Sequence, residues 1–300
     1  MKKKHNKIKS LYRMLCYAFK ALLETGIANV AAEECDNVHD LFAAILALGV
    51  GAQIKRGMHR FYVQKQEDLA GLRGKINVSE TIKRETLSRG KLVCRFDEFS
   101  TDIPHNQALK SVLLLLLRHG NVRNDNKKAI LNLLPYFSDV SDVDPASIKW
   151  DTLTYHRHNS SYEMLIGICR LTVKGLLLTN ELGSHKLASW LQEEQMHLLY
   201  QNFLLAYYKH HHKEYSPSAA RIFWDVKTGE RGEHLPVMKT DVTLEKGKRR
   251  LIIDAKYYSY GPWRKHYDRK IFLSANLYQI YAYVKNSDKY AAGHVAGALL

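Results

Sequence analysis

Cysteine is scarce in this chain, and metal-type spacing is missing. Cys16, Cys35, Cys94 and Cys169 stand far apart with no CxxC pair. That argues against a zinc ribbon or a disulfide framework and fits a reducing cytoplasm. No GxxxxGK[ST] loop occurs, so the chain is not expected to hydrolyse nucleotides itself. Long apolar runs are missing too: residues 112–117 are far too few to span a bilayer. The basic lead MKKKHNKIKSLYRMLCYAFKALL is interrupted by Arg13 and Lys20 and has no small-residue cleavage site. An amphipathic first helix is expected there, not a signal peptide. Acids are outnumbered, 30 Asp and Glu against 45 Lys and Arg, for a net charge of +15. Such an excess points to a polyanion partner, nucleic acid before membrane.

What is present describes an ordinary globular chain, with 46% hydrophobic and 25% charged residues. Its 300 residues suggest two domains. Apolar residues at three- and four-residue spacing predict helices over about 7–24 and 38–55. β-type residues around 61–63 and 76–78, with Gly71 and Gly74 between, predict short strands and turns. Residues 91–99 read as another strand, and helices return over 106–117, 127–134 and 162–178. These elements make a mixed α+β N-terminal domain, residues 1–185, with the linker at 180–184. Residues 186–300 read as a helix to 208, a strand at 219–226, two strands around Asp241 and Asp254, a helix over 271–285 and an apolar run at 294–300. That order describes a compact α/β unit. The closing run has no terminating turn, so a truncated C-terminus is expected. His210, His211 and His212 read as a solvated helix end.

The chemistry concentrates in 236–258, PVMKTDVTLEKGKRRLIIDAKYY. Val242 and Leu244 alternate with polar residues, Gly247 sits in a charged turn, and Leu251, Ile252 and Ile253 resume the apolar run. The pattern predicts a β-hairpin or two adjacent strands. Asp254 and Lys256 lie two apart on a strand, so their side chains leave the same face. A short turn brings Asp241 alongside. Two carboxylates this close repel unless a cation sits between them, and hard oxygen ligands suit Mg²⁺. A lysine beside such a site is equipment for phosphodiester hydrolysis. On the following helix Gln279 and Tyr283 are spaced to share one face. Tyr257, Tyr258, Trp263, Arg264, Lys265, His266, Arg269 and Lys270 interleave rings and cations, which reads either as a DNA-contacting loop or as an ordinary solvated loop.

With these residues in view, the chain resembles the McrC family, the nuclease subunit of 5-methylcytosine-specific restriction systems, within the PD-(D/E)XK superfamily. SLYRMLCYAFKAL (10–22) is similar to the family's opening helix. GLRGKINVSETI (71–82) and CRFDEFSTDIPHNQALKSVL (94–113) match its Gly-X-X-Gly segment and the block after it. LLYQNFL (198–204) looks like the helix that opens the nuclease domain. LPVMKTDVTL, LIIDAKYY and NLYQIYAYV match the catalytic strands and the helix that follows.

The resemblance implies a mixed central sheet flanked by helices over 186–300, with a partner-docking domain over 1–185. It implies catalytic Asp241, Asp254 and Lys256. Asp241, Asp254 and the Ala255 backbone carbonyl would hold Mg²⁺, Lys256 would act as base or charge stabiliser, and Gln279 and Tyr283 would support the site. Arg264, Lys265, Arg269 and Lys270 would contact DNA. Gln201 stands where many relatives carry a glutamate, which leaves the resemblance without a fourth acidic ligand. A cytoplasmic endonuclease is expected, with DNA and a McrB-type AAA+ GTPase as partners and no membrane. The GTPase would recognise modified DNA, this subunit would cut and stimulate it through residues 56–82, and two copies would pair for double-strand cleavage. Two other readings stand beside this one: a non-cleaving adaptor of the NTPase, and a stand-alone RecB-like nuclease.

Overall fold

The computed structural model describes residues 2–19, 35, 37–155, 160–179, 185–225, 235–257, 263–266, 269–288 and 292–300. Its contacts divide the chain into two compact units. One holds Met1–Leu41, Lys174–Leu176 and Ala188–Leu300, and the other holds Phe42–Val173 and Leu177–Leu187. The first unit therefore takes in both ends of the chain, where a single cut at 185/186 was expected.

In the first unit, α1 (Lys2–Ala18) buries Ile8, Leu11 and Leu15, the three- and four-residue stripe of an amphipathic helix. The next helix, α2 (Val38–Arg56), belongs to the second unit from Phe42 on; it is started by Asn37, whose side chain accepts from the His39 and Asp40 N–H groups at 2.9 and 3.1 Å. By length and composition α2 is apolar enough to cross a membrane, yet 67% of that stretch is buried in the protein, as in a core helix.

The second unit is built on a three-stranded sheet. β1 (Phe61–Leu69) and β2 (Lys75–Ile76) flank β3 (Leu92–Ser100), and both pair antiparallel with it. β1 runs well past the expected 61–63 because its polar stretch 64–68 pairs residue for residue with β3; the neighbouring strand overrides weak local propensity. The expected strand at 76–78 gives way after Ile76 to a short helix, α3 (Val78–Lys83). Asn77 caps it, accepting from the Glu80 N–H at 3.3 Å. The spacing Asn77–Glu80 matches a capping box, which favours a helix start. Helices α4 (Pro104–His119), α5 (Asn124–Leu131) and α6 (Ser160–Leu176) follow, then a small hairpin of β4 (Leu177–Thr179) and β5 (His185–Leu187). This hairpin occupies positions expected to continue one helix and begin the next. The expected linker, 180–184, lies outside the described residues.

The first unit resumes with α7 (Glu193–His211) and the short pair β6 (Arg221–Ile222) and β7 (Met238–Lys239). A mixed sheet follows, in which β9 (Arg249–Asp254) lies between antiparallel β8 (Val242–Lys246) and parallel β12 (Val295–Leu299). β8 and β9 join through Gly247 and Lys248. Gly247 has φ +60 and Lys248 does not share a positive φ, the glycine-first pattern of a two-residue hairpin turn.

Leu204 of α7 packs with Val242, Leu244, Ile253 and Ala255 on one face of this sheet. Ile252 packs with Ile222, Met238 and Tyr283 on the other. Burial on both faces is why 251–253 is continuously apolar. Between β9 and β12, β10 (Trp263–His266) and β11 (Arg269–Phe272) form a two-stranded ribbon, and α8 (Ser274–Ser287) follows it. α8 lies close against β12: a Cβ on Gly297 would stand 2.6 Å from Ile280 Cγ1, so glycine sets their approach.

Candidate active site

The site forms where β9 runs out. Asp254 is the strand's last residue, on the same face as Ile252, and is 1% exposed. Two residues on, the Lys256 ammonium turns back to lie 2.9 Å from Asp254 Oδ2. Asp254 Oδ2 is buried, and this ammonium is its charge partner. Lys256 Nζ also donates to Gln279 Oε1 at 2.9 Å. Gln279 Nε2 donates to the Tyr283 hydroxyl at 3.0 Å, and that hydroxyl donates to the Lys239 carbonyl at 3.2 Å. The two α8 side chains, one turn apart, thus tie the lysine to the backbone at the end of β7. Lys256 is anchored by its backbone as well, its N–H donating to the Leu300 carbonyl at 2.8 Å.

Asp241 stands at a bend immediately before β8. Its Oδ2 accepts the Ala255 N–H at 2.7 Å, which aims the carboxylate at the end of β9. The bend is clamped from behind. The Thr240 N–H donates to the Ala220 carbonyl at 2.9 Å, Thr240 Oγ1 accepts the Ala220 N–H at 3.0 Å, and the same hydroxyl meets Thr243 Oγ1 at 2.8 Å. The threonines were not anticipated from sequence, since their role is visible only once residue 220 is brought beside 240.

Burial pushes the Asp254 carboxyl above the ordinary carboxylate range. Lys256 pulls it down, the Asp241 charge adds to the rise, and His197 opposes it, but burial prevails. Two neighbouring carboxylates against one ammonium leave a net negative charge that a further cation would offset. His197 was missed in the sequence. It lies on α7, one turn before Gln201, and their Nε2 atoms are 2.9 Å apart. Its only sequence signal was that spacing from Gln201.

Mg²⁺ fits this donor set on physical grounds. The Asp254 carboxylate is buried, the Asp241 carboxylate is next to it with a single ammonium to offset the two charges, and Mg²⁺ commonly takes one or two carboxylates, keeping waters and substrate oxygens for the rest. Among the described residues there is no cluster of three or more His, Cys, Asp or Glu side chains suited to a metal.

The remaining expected residues fall less neatly. Tyr257 packs near Tyr200 of α7, ring centroids 6.3 Å apart. Residues 263–266 and 269–272, expected as a loop and the start of a helix, form the β10–β11 ribbon, with Arg264 opposite Ile271 and Lys265 opposite Lys270. Tyr258 lies outside the described residues. His211, in the histidine run, meets the Tyr17 hydroxyl through Nε2 at 2.6 Å.

A family model described as the McrBC 5-methylcytosine restriction system component matches residues 1–299. The type IV methyl-directed restriction enzyme EcoKMcrBC of Escherichia coli (strain K12) is 26% identical over 296 residues, spanning 98% of this chain and 85% of that protein. Two solved structures from Thermococcus gammatolerans are also similar. One is of McrB AAA+ hexamers with bound McrC, at 18% identity and TM-score 0.47, covering 82% of this chain and 53% of that one. The other is the McrBC complex, at 19% identity and TM-score 0.47, covering 67% and 57%. The chain thus spans just over half the length of the solved chains it matches.

Proposed function

The chain belongs to the McrBC 5-methylcytosine restriction-system component family, and on that premise we propose that it is the DNA-cleaving subunit of such a system. The observation that carries the proposal is the buried Asp254 carboxylate, with the Lys256 ammonium at 2.9 Å and the Asp241 carboxylate fixed beside it by the Ala255 N–H. In this reading the C-terminal α/β unit is a PD-(D/E)XK nuclease. Asp241, Asp254 and the Ala255 carbonyl would hold Mg²⁺, which when bound would supply Lewis-acid chemistry at the scissile phosphate and a more acidic water. The chain's own part is positional. Gln279 and Tyr283 fix the Lys256 ammonium, which orients the attacking water or offsets charge developing on the phosphoryl oxygens. The net charge of +15 draws the duplex in, and Arg264, Lys265, Arg269 and Lys270 of the β10–β11 ribbon grip its backbone.

The partner in this proposal is an AAA+ GTPase of the McrB type, which recognises 5-methylcytosine and is stimulated by this chain. The 56–82 region is the proposed contact, supported by exposed Tyr62 (73%) and Leu72 (67%). Two copies would pair for double-strand cuts. The test is a Mg²⁺-dependent nicking assay, with and without the partner ring, on wild type, Asp241→Ala and Lys256→Ala. Cleavage that survives both substitutions rejects the nuclease and leaves the adaptor reading. Efficient cleavage without any partner favours the stand-alone nuclease.

A further inference from the structure

A cavity of about 270 Å³ opens on the first unit, lined by Arg221, Phe223, Thr243, Arg250, Ile252 and Ser287 among others. Its floor is the sheet face that carries the candidate catalytic pair. Thr243 and Ile252 are register partners there, and Ile252 and Asp254 leave the same face two residues apart, a step of about 7 Å along the strand.

The mouth is equipped for a flat ring and a negative charge. Arg221 and Phe223 are both exposed, and Phe223 is 70% exposed. They are two apart, on either side of the buried Ile222 where β6 ends. Phe223 is not outward because its segment is slack. On its far side the Trp224 indole donates to the Pro236 carbonyl at 2.7 Å, and the Asp225 N–H donates to Asn286 Oδ1 at 2.8 Å. On its near side Arg221 and Ile222 pair with β7. Phe223 thus presents an exposed ring from a backbone that is held on both sides, two residues along from an exposed guanidinium.

The walls add polar groups. Arg250 is held in place by Glu245 at 2.7 Å. Ser287 Oγ is buried and has no hydrogen-bond partner among the described residues.

We propose that this cavity holds one nucleotide, its base against Phe223 and its phosphate on Arg221, on the sheet face that carries Asp254. The chemistry is that of a nucleoside phosphate, taken as part of a DNA strand or as a free mononucleotide. As an account of substrate positioning it rests on the nuclease reading; as a binding site it stands without it. A ring that stacks on a base adds affinity without sequence preference, which suits a subunit that cuts and does not read.

The test is binding of a fluorescein-labelled ten-residue oligothymidylate to the full chain in chelator, by anisotropy. Phe223→Ala and Arg221→Gln are each expected to weaken binding about tenfold, and Phe223→Trp to retain it. Both positions are exposed, so circular dichroism and Tm should match wild type. Competition by millimolar dTMP, lost in Phe223→Ala, identifies free nucleotide as a second source of the ligand. No competition, with oligonucleotide binding still dependent on Phe223, confines the site to strands. Binding within twofold of wild type in both Phe223→Ala and Arg221→Gln overturns the proposal. The two readings separate cleanly. If wild type never cleaves with Mg²⁺ yet binds through Phe223, the nuclease reading fails and the pocket stands. If Lys256→Ala abolishes cleavage while binding ignores Phe223, the pocket fails and the nuclease stands.

Discussion

The Lys256 ammonium lies 2.9 Å from Asp254 Oδ2 at the end of β9, and the same ammonium donates to Gln279. The lysine thus compensates the buried carboxylate while a side chain of α8 holds it in place. With the Asp241 carboxylate also beside Asp254, two carboxylates share this one ammonium.

Asp241→Ala is expected to bring Mg²⁺-dependent cleavage to background. Lys256→Ala is expected to lower its rate by roughly 10²- to 10⁴-fold. DNA affinity in chelator should change less than about threefold in either. Single-turnover cleavage beside a binding titration checks both, and a parallel loss of binding would mean these residues only grip the substrate.

Gln279→Leu removes the acceptor that fixes Lys256 and the donor to Tyr283. A fall in cleavage of about 10- to 100-fold is expected, with unchanged KM for DNA, as for outer partners of a metal site. Each lost hydrogen bond should cost about 1 kcal/mol of stability. Gln279→Glu keeps an acceptor for the lysine and should recover most of the rate. Equal losses in the two variants would show that Gln279 does not act through Lys256.

Binding of Mg²⁺ should show without catalysis. Wild-type Tm is expected to rise with added Mg²⁺, by roughly 2–4 °C for each kcal/mol of binding. Asp254→Asn should remove that response, because it deletes one of the two carboxylates offered to the ion. A Mg²⁺ shift that persists in Asp254→Asn would place the ion elsewhere.

His105, at the start of α4, gives the second unit an acid sensitivity. Its Nε2 meets the Thr154 carbonyl at 3.0 Å, and Nδ1 is buried without a partner among the described residues. Burial holds the imidazole below its ordinary range, Thr154 opposes this, and His59 adds to it. The unfolded imidazole therefore takes up a proton at a higher pH than the folded one. Below about pH 6.5 the unfolded state binds more protons, so this stability is complete above about pH 6.5 and is lost as pH falls from there through the folded value. Thermal melts from pH 7.5 to 5 should show this loss. His105→Phe, which keeps a ring against His59, Phe61 and Tyr162, should flatten it. An unchanged pH slope in that variant would assign the effect to other groups.

Leu72, 67% exposed between Gly71 and Arg73, marks the proposed partner contact. Leu72→Asp should leave the melt unchanged and cut stimulation of the partner GTPase by about tenfold or more, the loss expected of an interface anchor. Full stimulation by this variant would move the contact off the 56–82 region.

Parts of this arrangement were legible from spacing alone. That Asp254 and Lys256 share a face follows from the two-residue period of extended chain, and the apolar run 251–253 announced a strand covered on both sides. The turn at Gly247 and the pairing of Gln279 with Tyr283 on one helical face are equally local. Other parts were not legible. The polar strand 64–68 exists because β3 lies beside it, and α3 begins where two β-type residues suggested a strand. The β10–β11 ribbon replaced an expected loop, because cross-strand hydrogen bonds leave no mark on composition.

By itself the sequence determined which side chains leave the same side of which element, since backbone periodicity depends only on neighbouring residues. Tertiary structure alone decided what those side chains meet: Gln279 at the lysine, the Ala255 N–H at Asp241, His197 near Asp254, Phe223 beside a cavity. Such meetings join residues up to tens of positions apart in the chain, and only the packing of α7 and α8 on the two faces of one sheet brings them within a few ångströms.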